Sequence, residues 1–283
     1  MTSPEQSADE GRNEEMSLTM PAPAIPEGRK VVRASDPVAA VAEMLRRRGL
    51  DPARAALTED RSDSTDEYQH EVFRQAWVNS LALSGHGDYS RYRLPALDEQ
   101  QFPDHLRRYV EEFAKTRRHN RDQLKVPEAQ RNIVRPSIQH LVAHGSVGSG
   151  KTVAAAAAGA FAVECGLMAR FVSHSMYLSW LQPNNAPAGL TPVSVRERYE
   201  RCDLLILDDL CNEMDEYATN HVRTHTSNLI TARLNSGRAT LFTTNLSFDQ
   251  VAAVLGDRLA SRVGQRAAVL RMVGSDRRKP QMW

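Results

Sequence analysis

The sequence has few cysteines, and their positions exclude two kinds of small module. It contains three, Cys165, Cys202 and Cys211, and none of them forms a C-x-x-C pair. We therefore expect no disulfide framework, and a reducing cytoplasm is the simplest location. Because no cysteine precedes Cys165, the N-terminal part cannot hold a cysteine-based zinc module.

The sequence also lacks a long apolar run, a leader and an excess of charge. No run approaches the roughly 20 apolar residues that a membrane span needs, so we expect no membrane contact. The first ten residues, M-T-S-P-E-Q-S-A-D-E, are polar and do not resemble a signal peptide. A net charge of +1 gives no overall attraction to nucleic acid, so any such binding must come from local patches.

The most informative segment that is present fits the phosphate-binding pattern G-x-x-x-x-G-K-[ST]. It consists of Gly145, Ser146, Val147, Gly148, Ser149, Gly150, Lys151 and Thr152. Glycines let the backbone curl so that successive N–H groups point at phosphate oxygens. Lys151 would reach the β- and γ-phosphates, and the Thr152 hydroxyl would hold Mg²⁺. The helix that follows would add its positive N-terminal end to this anion site.

The surrounding pattern predicts an α/β fold. Residues 138–144 read as a short strand before the loop, and the alanine-rich residues 153–165 read as a helix after it. Strands and helices then alternate to the end of the chain, with one long helix expected over 248–263. This alternation is typical of a parallel sheet covered by helices on both faces.

The N-terminal part reads differently. Residues 1–34 are rich in Glu, Ser and Pro and are expected to be disordered. Helical patterns at 36–49, at 67–83 and from Pro103 predict a small helical domain over 35–120, followed by the α/β domain over 121–283. A basic cluster at the end of the third helix would contact a phosphate backbone or an acidic partner, or would form a solvated face. It comprises Lys115, Arg117, Arg118 and Arg121.

Two acids follow the apolar run Leu204–Leu207. Ligands bind at the carboxyl ends of parallel strands, so Asp208 and Asp209 would emerge beside the phosphate loop. We expect Asp208 to bind the hydrated Mg²⁺ and Asp209 to polarise the attacking water. A helix cap or a turn is the alternative interpretation of the pair.

Three further polar side chains extend this site. Asn245 follows the strand predicted at 239–244, and its amide would bridge the γ-phosphate and the water. Arg258 and Arg262 are four residues apart on one helix face, where an arginine offered to a neighbouring subunit's nucleotide would stabilise transition-state charge. The alternatives are a turn asparagine and two surface arginines.

Taken in order, four segments resemble the DnaC/DnaI/IstB branch of AAA+ ATPases, which are replicative helicase loaders and transposon helper ATPases. The segments are G-S-V-G-S-G-K-T, D-L-L-I-L-D-D-L, A-T-L-F-T-T-N-L and G-D-R-L-A-S-R-V, within about 138–279. The resemblance implies an AAA+ core in which Gly145–Thr152 is Walker A, Asp208 and Asp209 are Walker B and Asn245 is sensor 1. Arg258 and Arg262 would be the intersubunit arginines, without a choice between them. Arg278, in the closing G-S-D-R-R, resembles a sensor-2 residue that contacts the nucleotide.

The resemblance also implies cofactors and partners. An enzyme of this kind is a Mg²⁺-dependent ATPase that assembles into a ring or spiral, grips single-stranded DNA and loads a hexameric replicative helicase. The aspartate at 209 stands where many AAA+ ATPases have glutamate, so slow turnover is expected. Cys211 stands where the family often has glycine.

The DNA-binding residues and the biological role stay open at this point. Arg196, Arg198 and Arg201 would supply charge to single-stranded DNA and Tyr199 a stacking surface, unless they belong to a solvated amphipathic helix. A transposition helper is the first alternative to a helicase loader. The second is a nucleotide-gated DNA-binding scaffold that hardly hydrolyses ATP.

Overall fold

A computed structural model describes residues 61–211, 219–274 and 276. The predicted tail at 1–34, the first predicted helix at 36–49 and Arg278 lie outside these residues. The helices are α1 (Arg61–Leu83), α2 (Pro103–Gln123), α3 (Lys151–Glu164), α4 (His174–Trp180), α5 (Pro192–Arg201), α6 (Asn220–Asn235), α7 (Phe248–Leu255) and α8 (Asp257–Gly264). The strands are β1 (His140–Gly145), β2 (Ala169–Ser173), β3 (Leu204–Asp208), β4 (Ala239–Thr244) and β5 (Ala267–Met272). Three short 3-10 turns connect α1 to α2.

The five strands form one parallel sheet in the order β2-β3-β4-β1-β5. Strand β4 therefore lies between β1, which precedes the phosphate loop, and β3, which carries the two acids. All carboxyl ends meet at one edge, where α/β proteins bind their ligands. The predicted fold class, an α/β AAA+ P-loop core, is confirmed.

Helices cover both faces of the sheet, as the apolar strands require. Alternate residues of β3 face opposite sides: Leu204 and Ile206 join the cluster under α1, α2 and α3, while Leu205 and Leu207 join the cluster under α4 to α8. In α3 the run Ala154–Ala158 is fully buried, because alanine lets a helix approach the sheet closely.

Helices α1 and α2 pack on this same core, which differs from the separate helical domain expected over 35–120. Trp77 of α1 lies directly against Gly159 of α3, where a Cβ atom would overlap the indole ring. Leu106 and Phe113 of α2 are buried in the same cluster as the α3 alanines. The described residues accordingly form one compact unit, and no boundary divides them near residue 120.

The single helix expected over 248–263 is two helices. Gly256, with φ of 88°, separates α7 from α8, because glycine adopts this backbone region without steric cost. The break lets Val251 and Leu255 of α7 and Leu259 and Val263 of α8 enter the same apolar cluster. Within the described residues, no helix has the length and apolar character needed to cross a bilayer.

Candidate nucleotide site

The phosphate-loop motif forms a tight turn between β1 and α3. Gly148 and Gly150 have φ of 78° and 91°, values that side-chain-bearing residues rarely adopt. A Cβ atom on Gly148 would also overlap the side chain of Asp276, which follows β5. Ser146 donates its hydroxyl hydrogen to the carbonyl of Gly274, 3.2 Å away. The loop is thus closely packed on one side by the segment after β5, and only glycine fits at residue 148.

Lys151 and Thr152 begin helix α3. The Lys151 ammonium donates to the loop's own carbonyl oxygens at Gly145, 2.9 Å away, and Ser146, 2.8 Å away. The Thr152 hydroxyl donates to Oδ2 of Asp208 at 3.3 Å. The motif residue predicted to hold a metal therefore touches the carboxylate predicted to share it, although the two are 56 positions apart in the chain.

Thr243 at the end of β4 holds both acids. Its hydroxyl donates to Oδ1 of Asp208 at 2.6 Å and accepts the backbone N–H of Asp209 at 2.9 Å. Asp209 has φ of 56°, a left-handed conformation that aspartate tolerates better than most residues. Cys211 shares this conformation, with φ of 58°, at the position where the family often has glycine.

Asp208 is almost fully buried, with 4% of its surface exposed. Burial raises the pKa of its carboxyl group, because the charged form loses its hydration; the hydrogen bonds from Thr243 and Thr152 oppose this shift without cancelling it. A bound cation would compensate the cost of burying this charge.

These groups face one cavity of about 630 Å³, within the roughly 300–1,000 Å³ typical of small-molecule sites. Asn245 lines it together with Lys151, Thr152, Asp208 and Asp209. The structure therefore brings the predicted loop, both acids and the asparagine together around a single space.

The opposite side of the cavity comes from a region where the sequence analysis placed no site residue. We call residues 86–101 the N-terminal wall; its cavity-lining members are His86, Tyr89, Tyr92, Ala96, Leu97, Asp98 and Gln101. The rings of Tyr89 and Tyr92 meet edge to face, with centroids 5.6 Å apart. The wall consists of 3-10 turns without a helical or strand period, so only its aromatic residues offered a signal.

The two candidate intersubunit arginines lie elsewhere. Arg258 and Arg262 line a second cavity, of about 710 Å³, together with Arg196 and Glu200. Arg262 donates to the hydroxyls of Ser227, at 3.0 Å, and Thr231, both on α6. Arg258 is exposed. Neither arginine lines the candidate nucleotide cavity of its own chain. An arginine that acts on a neighbouring subunit's nucleotide would also lie outside this cavity.

Two expectations about basic surfaces change. The prediction that Tyr199 offers a stacking surface to DNA is wrong, because its ring is 1% exposed and packs against Trp180 and Tyr177. Arg117, in the basic cluster of α2, donates to Oδ1 of Asp203, 2.9 Å from its Nε. Arg196 and Arg201 remain exposed on α5, and Lys115, Arg118 and Arg121 remain exposed on α2.

The residues fit a magnesium–nucleotide complex by their chemistry. The hydroxyl of Thr152 and the carboxylate of Asp208 are oxygen ligands of the kind that Mg²⁺ binds, together with phosphate oxygens. The glycine-rich turn and the start of α3 present backbone N–H groups suited to phosphate. The cavity beyond the loop leaves room for a base and sugar between the loop and the N-terminal wall.

The chain matches one protein family and is similar to several solved structures. No curated protein matches the sequence. Similar solved structures include the DnaC helicase loader (25% identity, 48% of this chain, 78% of that chain, TM-score 0.42) and DnaI (20%, 68%, 93%, 0.48). AMPPCP-bound DnaA from Aquifex aeolicus is similar at 21% identity (47% of this chain, 39% of that chain, 0.39). Residues 91–278, well over half of the chain, match the model of the IstB-like ATP binding protein family. The chain therefore belongs to the IstB-like ATP-binding family.

Proposed function

We propose that this protein is a Mg²⁺-dependent ATPase whose nucleotide state controls its grip on single-stranded DNA and its release of a protein partner. The observation that carries the proposal is the convergence of Lys151, Thr152, Asp208, Asp209 and Asn245 on one cavity. The family match supports ATP binding. The proposal of hydrolysis goes further and rests on the residues discussed below. The DNA ligand and the protein partner are proposed from the resemblance to the DnaC/DnaI/IstB branch.

The phosphate loop is the proposed triphosphate site. Lys151 would exchange its bonds to the Gly145 and Ser146 carbonyls for bonds to the β- and γ-phosphates. Thr152 and Asp208 would hold the magnesium ion, which neutralises charge on the transferred phosphoryl group. Arg278 is proposed as a further phosphate contact on the basis of the sequence motif.

Asp209 and Asn245 are the proposed water-positioning pair. Thr243 fixes the backbone of Asp209, so the direction of this carboxylate depends on the same hydroxyl that holds Asp208. An aspartate is one methylene shorter than glutamate, so we propose slow turnover. Arg258 or Arg262 of a neighbouring copy would add positive charge at the γ-phosphate, which makes hydrolysis depend on assembly into a ring or spiral.

The first test is Lys151→Ala. Removing a charge-assisted phosphate contact should weaken ATP affinity by about tenfold to a hundredfold and abolish nucleotide-dependent DNA binding. Equilibrium binding of a fluorescent ATP analogue and of single-stranded DNA measures both. Lys125→Ala, at an exposed lysine that pairs with Asp122, is the control. Unchanged affinity for both ligands in the Lys151 variant would overturn the proposal.

Phosphate release separates an ATPase from a nucleotide-gated scaffold. We expect a slow rate that rises with single-stranded DNA and with protein concentration, because the arginines come from a neighbour. Arg258→Ala and Arg262→Ala, each assayed alone and mixed with Asp208→Asn protein, identify which arginine acts between subunits. The variant of the essential arginine should be nearly inactive alone and regain activity in the mixture, because the Asp208→Asn protein supplies that arginine to its intact site. A rate at background under every condition would favour the scaffold.

The proposed partner is a hexameric replicative helicase, by resemblance to the DnaC/DnaI branch. The family match to IstB-like proteins favours a second candidate, delivery of DNA to a transposase. Capture experiments should use the full chain, because α1 and α2 pack on the ATPase core and cannot be cut away at residue 120 without exposing it. ATP-dependent retention of a helicase supports the first role, and retention of a transposase supports the second.

A further inference from the structure

One buried glutamine joins the N-terminal wall to the phosphate loop. Gln101 is 3% exposed, and its side-chain amide nitrogen donates to the carbonyl oxygen of Gly150, 3.0 Å away. Its side-chain oxygen accepts the backbone N–H of Asp98, 3.2 Å away. The two partners fix the orientation of the amide, because a carbonyl can only accept and a backbone N–H can only donate.

The local sequence explains why this side chain is available. Pro103 begins α2 and disfavours the right-handed helical region for the residue before it. Phe102 lies outside that region, in a left-handed conformation with φ of 55°. The short turn Glu99–Gln101 therefore ends before α2 begins, and its N–H at Gln101 closes onto the carbonyl of Asp98. Gln101 thus belongs to the wall and is not part of the helix.

The Gly150 carbonyl that Gln101 contacts belongs to a peptide unit that also forms part of the phosphate site. Gly150 is the N-cap of α3, and its peptide unit continues into the N–H of Lys151. A trans peptide points its N–H away from its carbonyl, so a bond that holds the Gly150 carbonyl also orients the Lys151 N–H. That N–H lies at the helix start, where backbone groups bind phosphate.

We propose that Gln101 is a positioning residue that couples the order of the N-terminal wall to the affinity of the phosphate loop. When the wall is docked, Gln101 holds the Gly150 peptide in the phosphate-binding orientation; when the wall moves, the loop loses this support. The coupling is reciprocal, so nucleotide binding also orders the wall. This inference rests on the proposed ATP site and adds a residue to it that the motif does not contain.

This coupling would let a protein partner change the affinity of the site for ATP. Leu94, in the wall, and Leu106 and Phe113, in α2, are buried in the same apolar cluster. A partner that displaces α2 or the wall would therefore act on ATP affinity through the Gln101 side chain. No contact between that partner and the phosphate loop is needed.

Two substitutions separate the two bonds of this side chain. Gln101→Glu keeps an oxygen that can accept the Asp98 N–H, but at neutral pH it cannot donate to Gly150. Gln101→Met keeps the length of the side chain and removes both bonds without adding charge. Glu99→Gln, an exposed residue in the same turn, is the control. All are measured for ATP-analogue affinity, KM, kcat and thermal stability.

We expect Gln101→Met to weaken ATP affinity about fivefold, the size of one neutral hydrogen bond. Gln101→Glu should weaken it about tenfold or more, because its charge also faces the loop carbonyl. KM should rise in parallel while kcat changes little. Tm should stay close to that of the wild type in the Met variant, whereas the buried charge of the Glu variant should lower its Tm. ATP should slow hydrogen exchange at 97–102 in the wild type and not in either variant.

Unchanged affinity in both Gln101 variants would overturn the coupling. So would a loss confined to Gln101→Glu, which would indicate simple charge repulsion, or a loss that follows Tm and kcat together, which would indicate general unfolding. These outcomes leave the ATPase assignment standing if the wild type binds ATP and Lys151→Ala does not. A wild type that fails to bind ATP would instead remove the proposed function itself.

Discussion

Asp203 and Asp208 stand at opposite ends of strand β3, and both are nearly buried, with 6% and 4% of their surfaces exposed. Asp203 accepts two bonds from the Arg117 guanidinium and one, at 3.0 Å, from the backbone N–H of Met168. Asp208 accepts bonds from the hydroxyls of Thr152 and Thr243, which are neutral. One acid is compensated by a cation of the protein, and the other faces the nucleotide cavity.

The same contrast extends along the two edges of the sheet. At the amino edge, the fully buried Arg233 donates to the carbonyl oxygens of Tyr199, Cys202 and Ala239. Gln139 in turn donates to the carbonyls of Arg233, Leu234 and Arg238. At the carboxyl edge, the glycine turn, Lys151 and Asp208 line a cavity. Burial alone therefore does not distinguish Asp208, the acid that we propose for the nucleotide site, from Asp203. The two acids differ in their hydrogen-bond partners.

The difference between Asp203 and Asp208 is tested most directly by removing the charge of each acid in turn. Asp208→Asn should lower ATP hydrolysis about a hundredfold to a thousandfold, because the carboxylate that we propose as a metal ligand is lost. Asp203→Asn should leave hydrolysis nearly unchanged and lower stability by about 1–2 kcal/mol, because Arg117 loses its anion. Phosphate release and urea unfolding of both variants measure the two effects.

The pKa of Asp208 also predicts the direction in which Asp208→Asn changes the stability of the protein. Burial raises the folded-state pKa of this carboxyl above its unfolded value of about 4, so its charged form costs stability as the pH rises above that value. At neutral pH the neutral amide of Asp208→Asn should therefore raise the Tm of the nucleotide-free protein. A lower Tm in this variant would mean that Asp208, like Asp203, is held for structural reasons.

The next largest effect is expected at the amino edge. Arg233→Leu should lower the free energy of unfolding by about 3 kcal/mol, since several buried carbonyl oxygens lose a partner together. ATP affinity of the folded fraction should stay within about twofold of the wild type, because one hydrogen bond in the site would change it more. Arg201→Leu, which removes an exposed pair with Glu197, is the control. A selective loss of ATP affinity in the Arg233 variant would show that the two edges are coupled.

The carboxyl edge was largely predictable from the sequence because its parts are local. The glycine–lysine motif, the acids after an apolar run and Asn245 after the next strand each follow from short patterns, and a parallel sheet brings strand ends together. Gln101 and the N-terminal wall were not predictable in this way. Short turns have no period, and the bond from Gln101 to Gly150 spans 49 positions of the chain.

The wrong or altered predictions have a common physical origin in tertiary packing. Tyr199 has the local setting of an exposed aromatic among charges, yet Trp180 and Tyr177 cover it. Gly256 lies inside a continuous apolar period, so the pattern does not show that its backbone breaks the helix. The helices expected in a separate domain bury their apolar faces in the same cluster as the alanines of α3. Periodicity identifies a buried face but not the surface that buries it.

A smaller effect, the pH dependence of stability, is expected from a histidine at the amino edge. His140 in β1 is fully buried, and neither ring nitrogen has a hydrogen-bond partner among the described residues. Burial, followed by the charge of Arg233, lowers its pKa to about 3. The unfolded chain therefore binds the proton first, and the stability that neutral His140 provides is lost as the pH falls from about 6.5 towards 3.

Between pH 7 and pH 5 this loss should amount to about 2 kcal/mol. His140→Leu should remove that part of the pH dependence without breaking a hydrogen bond to any described residue. Urea midpoints at the two pH values measure the difference. If His140→Leu kept the full pH dependence, the acid sensitivity would belong elsewhere. His174, also buried and with a pKa lowered to about 4, would then be the next residue to replace, because the same desolvation acts on its ring.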